Sequence, residues 1–143
     1  MNNNKLPYAK AICYSGYRDG QDPDGGGFPS YEQVKEDLLI LKNEWKSLRL
    51  YGSDQHSMTI LEVIEKECLP FDVMLGAYIT AEVSNDNCPW GGHYSEEELA
   101  TNKQHNRQQI EQLIQLANQY PQIISSISIG NEAAVSWTDH LVP

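Results

Sequence analysis

The sequence contains few cysteines and no pattern of metal ligands. Its three cysteines, Cys13, Cys68 and Cys88, are odd in number and widely spaced, so neither a disulfide framework nor a Cys-x-x-Cys metal site is indicated. The four histidines never occur at the i, i+4 spacing that puts two ligands on one helix face. We therefore expect no zinc site and no cofactor, and we expect Cys13 and Cys68 to be small residues of the core.

Basic residues and long apolar segments are also scarce. Ten Lys and Arg against twenty Asp and Glu give a net charge of −10, which argues against nucleic acid and an anionic membrane surface as partners. No run approaches the roughly 20 apolar residues that span a bilayer, and residues 1–8 carry no apolar segment of the signal-peptide kind. We expect a soluble, unexported and, by default, cytoplasmic protein. The 40% apolar content of 143 residues is enough for one core, hence a single domain.

The sequence does contain a repeated alternation of strand and helix patterns. Apolar runs predict the strands, two capping boxes at Ser30 and Ser95 predict helix starts, and Pro121 predicts a helix end. A further helix is predicted to begin at residues 141–143, because Pro is favoured at the first helical position. The predicted strands are residues 10–14, 47–51, 70–79 and 122–132, and the predicted helices are residues 31–45, 58–67 and 96–120.

Strands and helices that alternate in this way predict a parallel sheet with right-handed crossovers. A doubly wound sheet and a (β/α) barrel both fit the pattern. The Gly-x-Gly-x-x-Gly and P-loop motifs of nucleotide-binding sheets are absent, and the triplet Gly25 to Gly27 is followed by neither Lys nor a helix. The loop from Asp22 lacks the ligands of an EF-hand. The barrel is therefore the favoured architecture.

The last apolar run ends in a polar pair. Its isoleucines alternate with serines and it carries no charge, which predicts a buried strand. Gly130 lets the backbone leave the sheet, so Asn131 and Glu132 are expected at the carboxyl edge, where parallel sheets place their chemistry. The alternative is that Glu132 caps a following helix or pairs with a nearby Arg.

Four strand ends and three loops carry recognisable motifs. The strand segments are Ala-Ile-Cys-Tyr at 11–14, Ser-Leu-Arg-Leu-Tyr at 47–51, Gly-Ala-Tyr at 76–78 and Ser-Ile-Gly-Asn-Glu at 128–132. The loop segments are residues 14–18, 87–92 and 136–143. Together they resemble glycoside hydrolase family 17, the β-1,3-glucanase-like TIM barrels, and their bacterial branch most of all. The resemblance covers nearly the whole chain.

The resemblance implies retaining hydrolysis or transfer on β-1,3-linked glucose chains. Glu132 would be the general acid/base and Asn131 would bond the 2-hydroxyl of the sugar. We expect the Glu132 carboxyl to be partly buried beside a second carboxylate, an environment that favours the protonated form. The family's nucleophile comes from a strand beyond the fourth, and a complete barrel needs about 250 residues. Residues 1–143 are therefore expected to be the N-terminal half of a (β/α)8 catalytic domain, of the α/β parallel TIM-barrel type.

The resemblance also implies roles for further residues, and most of them have a purely structural role as the alternative. Arg49 and Tyr51 alternate with leucines and share a face; Tyr51 would lie beside the catalytic carboxylates and Arg49 would hold them by bidentate bonds, or Arg49 is a buried salt-bridge partner. Tyr14 is either a sugar contact or a core aromatic. Trp90 and Trp137 are either platforms for a glucose ring or caps over the core.

Two other functions remain open from the sequence. One is a transglycosylase of β-glucan synthesis, and the other is a non-catalytic glucan-binding protein that keeps the sugar-facing aromatics. Glu82, just beyond the third strand, is either a sugar contact or a solvated loop acid. Because four strands cannot close a barrel, self-association through the open sheet edges is also expected.

Overall fold

The structure is a computed structural model that describes residues 9–142. Strands and helices alternate along the chain, as the apolar pattern predicts. The elements are β1 (Ala11–Cys13), α1 (Tyr31–Leu41), β2 (Ser47–Arg49), α2 (Gln55–Lys66), β3 (Asp72–Ala77), α3 (Glu96–Gln119) and β4 (Ile124–Ile129). None of the helices in this part of the chain is both long and apolar enough to cross a bilayer.

The four strands form one parallel sheet in the order β1-β2-β3-β4. The predicted parallel α/β class is thus confirmed. The order never reverses within the described chain, whereas doubly wound sheets reverse at a switch point. The sheet is therefore compatible with one part of a (β/α) barrel wall.

Both predicted capping boxes are present. The hydroxyls of Ser30 and Ser95 each accept a hydrogen bond from the backbone N–H three residues on. In turn, the side chains of Gln33 and Glu98 accept a bond from the backbone N–H of Ser30 and Ser95. The first helix is shorter than predicted, because it ends at Leu41 and leaves Trp45 in the turn that follows.

The second and last predicted helices also differ from the structure. The second begins three residues early because Asp54 is its N-cap and accepts from Ser57 N–H at 3.0 Å. At the predicted helix start of residues 141–143, Leu141 and Val142 are not helical and Pro143 lies outside the described residues. Residues 1–8, the segment expected to hold no leader, lie outside them too.

One face of the sheet is covered and the other is not. Leu48, Leu50, Val73 and Leu75 are buried in the same core as the apolar faces of the helices. Arg49 alternates with the leucines and therefore lies on the opposite, uncovered face.

Two of the core assignments made from sequence are wrong. Cys13 is exposed because it pairs in register with Arg49 on the uncovered face. Cys68 is exposed just after α2, where it adopts a left-handed φ of 51°.

Strand β4 is not the buried strand that its sequence predicts. Ile127 and Ile129 are 50% and 59% exposed, although their register partners Leu75 and Ala77 are buried. No helix follows β4 within residues 9–142 to cover them. On α3, Leu113 and Leu116 are buried, whereas Ile114 is half exposed.

We predict that the chain self-associates through β1, β4 and the exposed isoleucines. An edge strand offers unpaired N–H and C=O groups, and an adjoining apolar patch favours association. Light scattering coupled to size exclusion should show a dimer or larger species, and Ile127→Lys with Ile129→Lys should shift it towards monomer. Ile40→Lys on α1, an exposed isoleucine away from the sheet, is the control and should change nothing. A wild-type chain that stays monomeric at high concentration would contradict the prediction.

Candidate active site at the carboxyl ends of the strands

The turn after β4 has an unusual backbone. Gly130 adopts φ 76° and donates its N–H to Ala77 O at 3.0 Å, and a Cβ there would lie 2.9 Å from Ala133 Cβ. Only glycine fits that position without strain. Glu132 is also left-handed, at φ 58°. This conformation costs a non-glycine residue roughly 1–2 kcal/mol, so contacts around the turn must hold it.

Glu132 is exposed, not partly buried as expected. Its side chain makes no hydrogen bond or ion pair with the described residues, and no helix follows that it could cap. The reason is that the uncovered face of the sheet has no opposing wall within residues 9–142. Among the described residues, Glu132 therefore neither caps a helix nor pairs with an arginine, and its carboxyl is accessible to a ligand.

Asn131 is held by Arg49. Arg49 Nη2 donates to Asn131 Oδ1 at 3.0 Å, and the guanidinium lies 4.8 Å from the centre of the Tyr51 ring. A guanidinium only donates, so the amide oxygen of Asn131 must face it and the amide nitrogen must face away. Arg49 Nε is buried without a partner. Within residues 9–142 neither alternative for Arg49 is seen, since it binds neither Glu132 nor any other carboxylate.

The loop after β4 folds back onto this turn. His140 Nε2 lies 2.7 Å from the main-chain oxygen of Asn131, and His140 Nδ1 lies 2.6 Å from Asp139 Oδ1. Thr138 is buried and its hydroxyl lies beside the same ring. Sequence reasoning did not single out His140, because its isolated position carries no metal or catalytic spacing.

The two loop tryptophans meet. Trp90 follows β3 and Trp137 follows β4, and their ring centres are 5.8 Å apart at an interplanar angle of 59°. They are 64% and 45% exposed, so they do not cap the core. Asn85 ties their loops together, since its buried amide donates to Ser136 O at 3.0 Å and to Thr138 O at 2.7 Å. No local pattern in the sequence indicates this contact.

Tyr14 and Glu82 are both occupied by protein contacts. Tyr14 is buried and donates its hydroxyl to Asp37 Oδ2 at 2.8 Å, and Arg18 binds the same carboxylate. Burial and the bond to Asp37 raise the pKa of Tyr14 well above its usual value. Tyr14 therefore packs in the core, and it also lines the cleft at the carboxyl ends of the strands. Glu82 Oε1 accepts from the Asn106 amide of α3 at 2.9 Å, so it braces a loop rather than standing in solvent.

A cleft of about 510 Å³ lies at the carboxyl ends of β1, β2 and β3, and of the predicted site residues only Tyr14 and Tyr51 line it. Tyr51 and Tyr78 line it and are both exposed, while His56 lines it from α2 and is buried. Burial lowers the pKa of His56, and its Nε2 accepts from Gly16 N–H at 3.2 Å. A second cavity, of about 490 Å³, lies at the amino ends of β3 and β4, away from Glu132.

No protein-family model matches the chain, and no curated protein matches it. Among solved structures, the chain is similar to the crystal structure of an endo-laminarinase from Formosa Hel1_33_131, with a TM-score of 0.66 and 29% sequence identity. The match covers 92% of this chain and 33% of the other, so the chain spans about a third of the length of that protein. The chain has a glucanase-like fold of the glycoside hydrolase kind.

Proposed function

We propose that this chain forms part of a retaining β-1,3-glucanase of glycoside hydrolase family 17, with a (β/α)8 barrel and Glu132 as general acid/base. One observation carries the proposal. An unpartnered, exposed carboxyl stands at the end of β4, directly after an asparagine fixed by Arg49, in a chain similar to an endo-laminarinase. The substrate is a β-glucan polysaccharide or oligosaccharide.

The chemistry assigned to Glu132 needs a carboxyl without protein partners. In the first step it donates its proton to the glycosidic oxygen as the bond to the sugar breaks, and in the second it takes a proton from the attacking water. The nucleophile of a retaining enzyme is a second carboxyl about 5 Å away. We propose that a strand of the barrel that this chain does not contain supplies it.

The residues around Glu132 would orient the sugar. Because Asn131 Oδ1 is bonded to Arg49, its amide N–H groups face outwards and can donate to the 2-hydroxyl, a bond that strengthens in the transition state. Tyr51 lies against Arg49 at the rim of the cleft and would form one wall of the sugar site. The tilted pair of Trp90 and Trp137 offers two apolar surfaces on which glucose rings can stack.

The proposal is tested with a chimera in which residues 9–142 replace the matching third of the Formosa endo-laminarinase. A folded chimera, judged by a cooperative thermal transition, should release reducing sugar from laminarin, and the product first formed should be the β-anomer by proton NMR. A folded chimera without activity, or one that releases the α-anomer first, would contradict the proposal.

We further predict that the tryptophan pair binds sugar. A soluble β-1,3-oligosaccharide added to the chimera should shift the fluorescence contributed by the pair, and the shift should shrink in Trp90→Phe and in Trp137→Phe, because stacking changes the surroundings of an exposed indole. Trp45→Phe is the control, since Trp45 packs against the core away from the pair. An unchanged shift in all three variants would remove Trp90 and Trp137 from the site.

Glucan binding without turnover is the second candidate function, and the exposed tryptophan pair favours it for this chain by itself. Isothermal titration of the isolated chain with a laminari-oligosaccharide, alongside a reducing-sugar assay, separates the two functions. Heat of binding with no released sugar is the result expected of the isolated chain.

A further inference from the structure

His140 joins the loop after β4 to the turn that carries Glu132. Its ring bridges two oxygen atoms, the side-chain oxygen of Asp139 at 2.6 Å and the main-chain oxygen of Asn131 at 2.7 Å. The carbonyl of Asn131 belongs to the peptide that joins Asn131 to Glu132. A bond to that oxygen therefore restrains the plane from which the Glu132 side chain projects.

This restraint acts where the backbone needs it. Glu132 has a left-handed φ of 58°, and its own carboxyl makes no contact with the described residues that would hold this conformation. Asn131 is held on its other side by Arg49, through its side-chain oxygen. Asn131 is thus bonded at two atoms. Its side-chain oxygen accepts from Arg49 of β2, and its main-chain oxygen bonds His140 in the loop after β4.

The bonding pattern also fixes a proton on the ring. A main-chain carbonyl only accepts, so Nε2 must carry a proton in order to bond Asn131. Nδ1 lies on the other side of the ring, 2.6 Å from Asp139 Oδ1, so Asp139 fixes the orientation in which Nε2 faces Asn131.

We propose that His140, oriented by Asp139, is a positioning residue that holds Glu132 in its left-handed conformation. The proposal rests on the proposed function only for the use to which Glu132 is put. The bond from His140 to Asn131 and its effect on the Glu132 backbone are properties of the chain and can be measured without substrate. The buried Thr138 supports it, because it sits against the ring and leaves the imidazole little room to turn.

The test is NMR on the complete 143-residue chain and on His140→Phe, which fills the same space but has no donor. In the wild type, Nε2 of His140 should carry a proton, and the backbone coupling and carbon shifts of Glu132 should report a positive φ. In His140→Phe we expect the Glu132 signals to shift towards averaged values while the thermal midpoint stays unchanged. His140→Gln keeps an N–H donor and should restore part of the wild-type signal.

His93→Phe is the matched control, because His93 is an exposed histidine in the other loop and should leave Glu132 unaffected. If His140→Phe fails to fold, Asp139→Ala replaces it, since it removes the orienting partner and leaves the imidazole in place. Unchanged Glu132 shifts in the variant that folds, or a wild-type ring without a proton on Nε2, would overturn the proposal. If the chain shows the effect of His140 on Glu132 but the folded chimera does not cleave laminarin, the proposed function is refuted and the positioning role of His140 is still established.

Discussion

Glu132→Gln in the laminarinase chimera is expected to reduce kcat on unactivated laminarin by roughly 10³-fold or more, with KM little changed. General acid–base catalysis alone contributes about 10² to 10⁴-fold. The substitution keeps the size of the side chain and the left-handed backbone but removes the transferable proton. The loss should therefore appear in kcat, because the proton is needed only in the transition state.

The structure supplies a matched control for this substitution. Glu82→Gln changes another carboxyl at the carboxyl end of the same sheet, but Glu82 accepts a hydrogen bond from Asn106 at 2.9 Å and braces a loop. An amide oxygen can still accept that bond, so Glu82→Gln should stay within a few-fold of the parent. Near wild-type kcat in Glu132→Gln would refute the acid/base assignment, and an equal loss in Glu82→Gln would point to a general effect on the fold.

Gly76→Ala is expected to destabilise the chain by about 3 kcal/mol or more, the upper part of the range for overpacking. A Cβ at Gly76 would lie 2.5 Å from Leu50 O and 2.6 Å from Tyr51 O. Both are main-chain atoms, so no change of rotamer can relieve the contact. The end of β2 would have to move away from β3, and Tyr51 would move with it.

The measurement is urea unfolding followed by circular dichroism at a fixed protein concentration. Gly91→Ala is the control, because a Cβ there meets only Asp139 Cβ at an ordinary 3.7 Å, and the unfolded chain loses freedom. We expect Gly91→Ala to be neutral or stabilising by about 0.4–1 kcal/mol. An unfolding midpoint in Gly76→Ala equal to that of the parent would show that the strands can part at little cost.

Much of the fold could be predicted from sequence because its signals are local. A capping box lies within four residues, and an apolar stripe within a few turns, so Ser30 and Ser95 mark true helix starts. The same holds for the parallel sheet, since parallel neighbours need a long crossover connection and the repeated helices between the strands supply one. The Asp54 cap was missed because it lies in a Gly-Ser-Asp segment that indicates a turn, and Ser57 stands where a capping box has Glu or Gln.

Burial was predicted less well, because it depends on what lies opposite a residue. The isoleucines of β4 have the pattern of a buried strand, yet Ile127 is half exposed since no helix covers it in the described chain. Cys13 looks apolar by type but faces the uncovered side of the sheet. For the same reason Glu132 is exposed rather than partly buried.

The amino-acid sequence by itself determined the order and type of the elements, and it placed Asn131 and Glu132 at a strand end. The tertiary structure alone decided their partners. Arg49 and Asn131 are 82 residues apart in sequence, and the tryptophan pair and the His140 bridge each depend on loops folding back. Periodicity and capping reflect the geometry of one element, whereas these contacts join segments that only the folded sheet and its loops bring together.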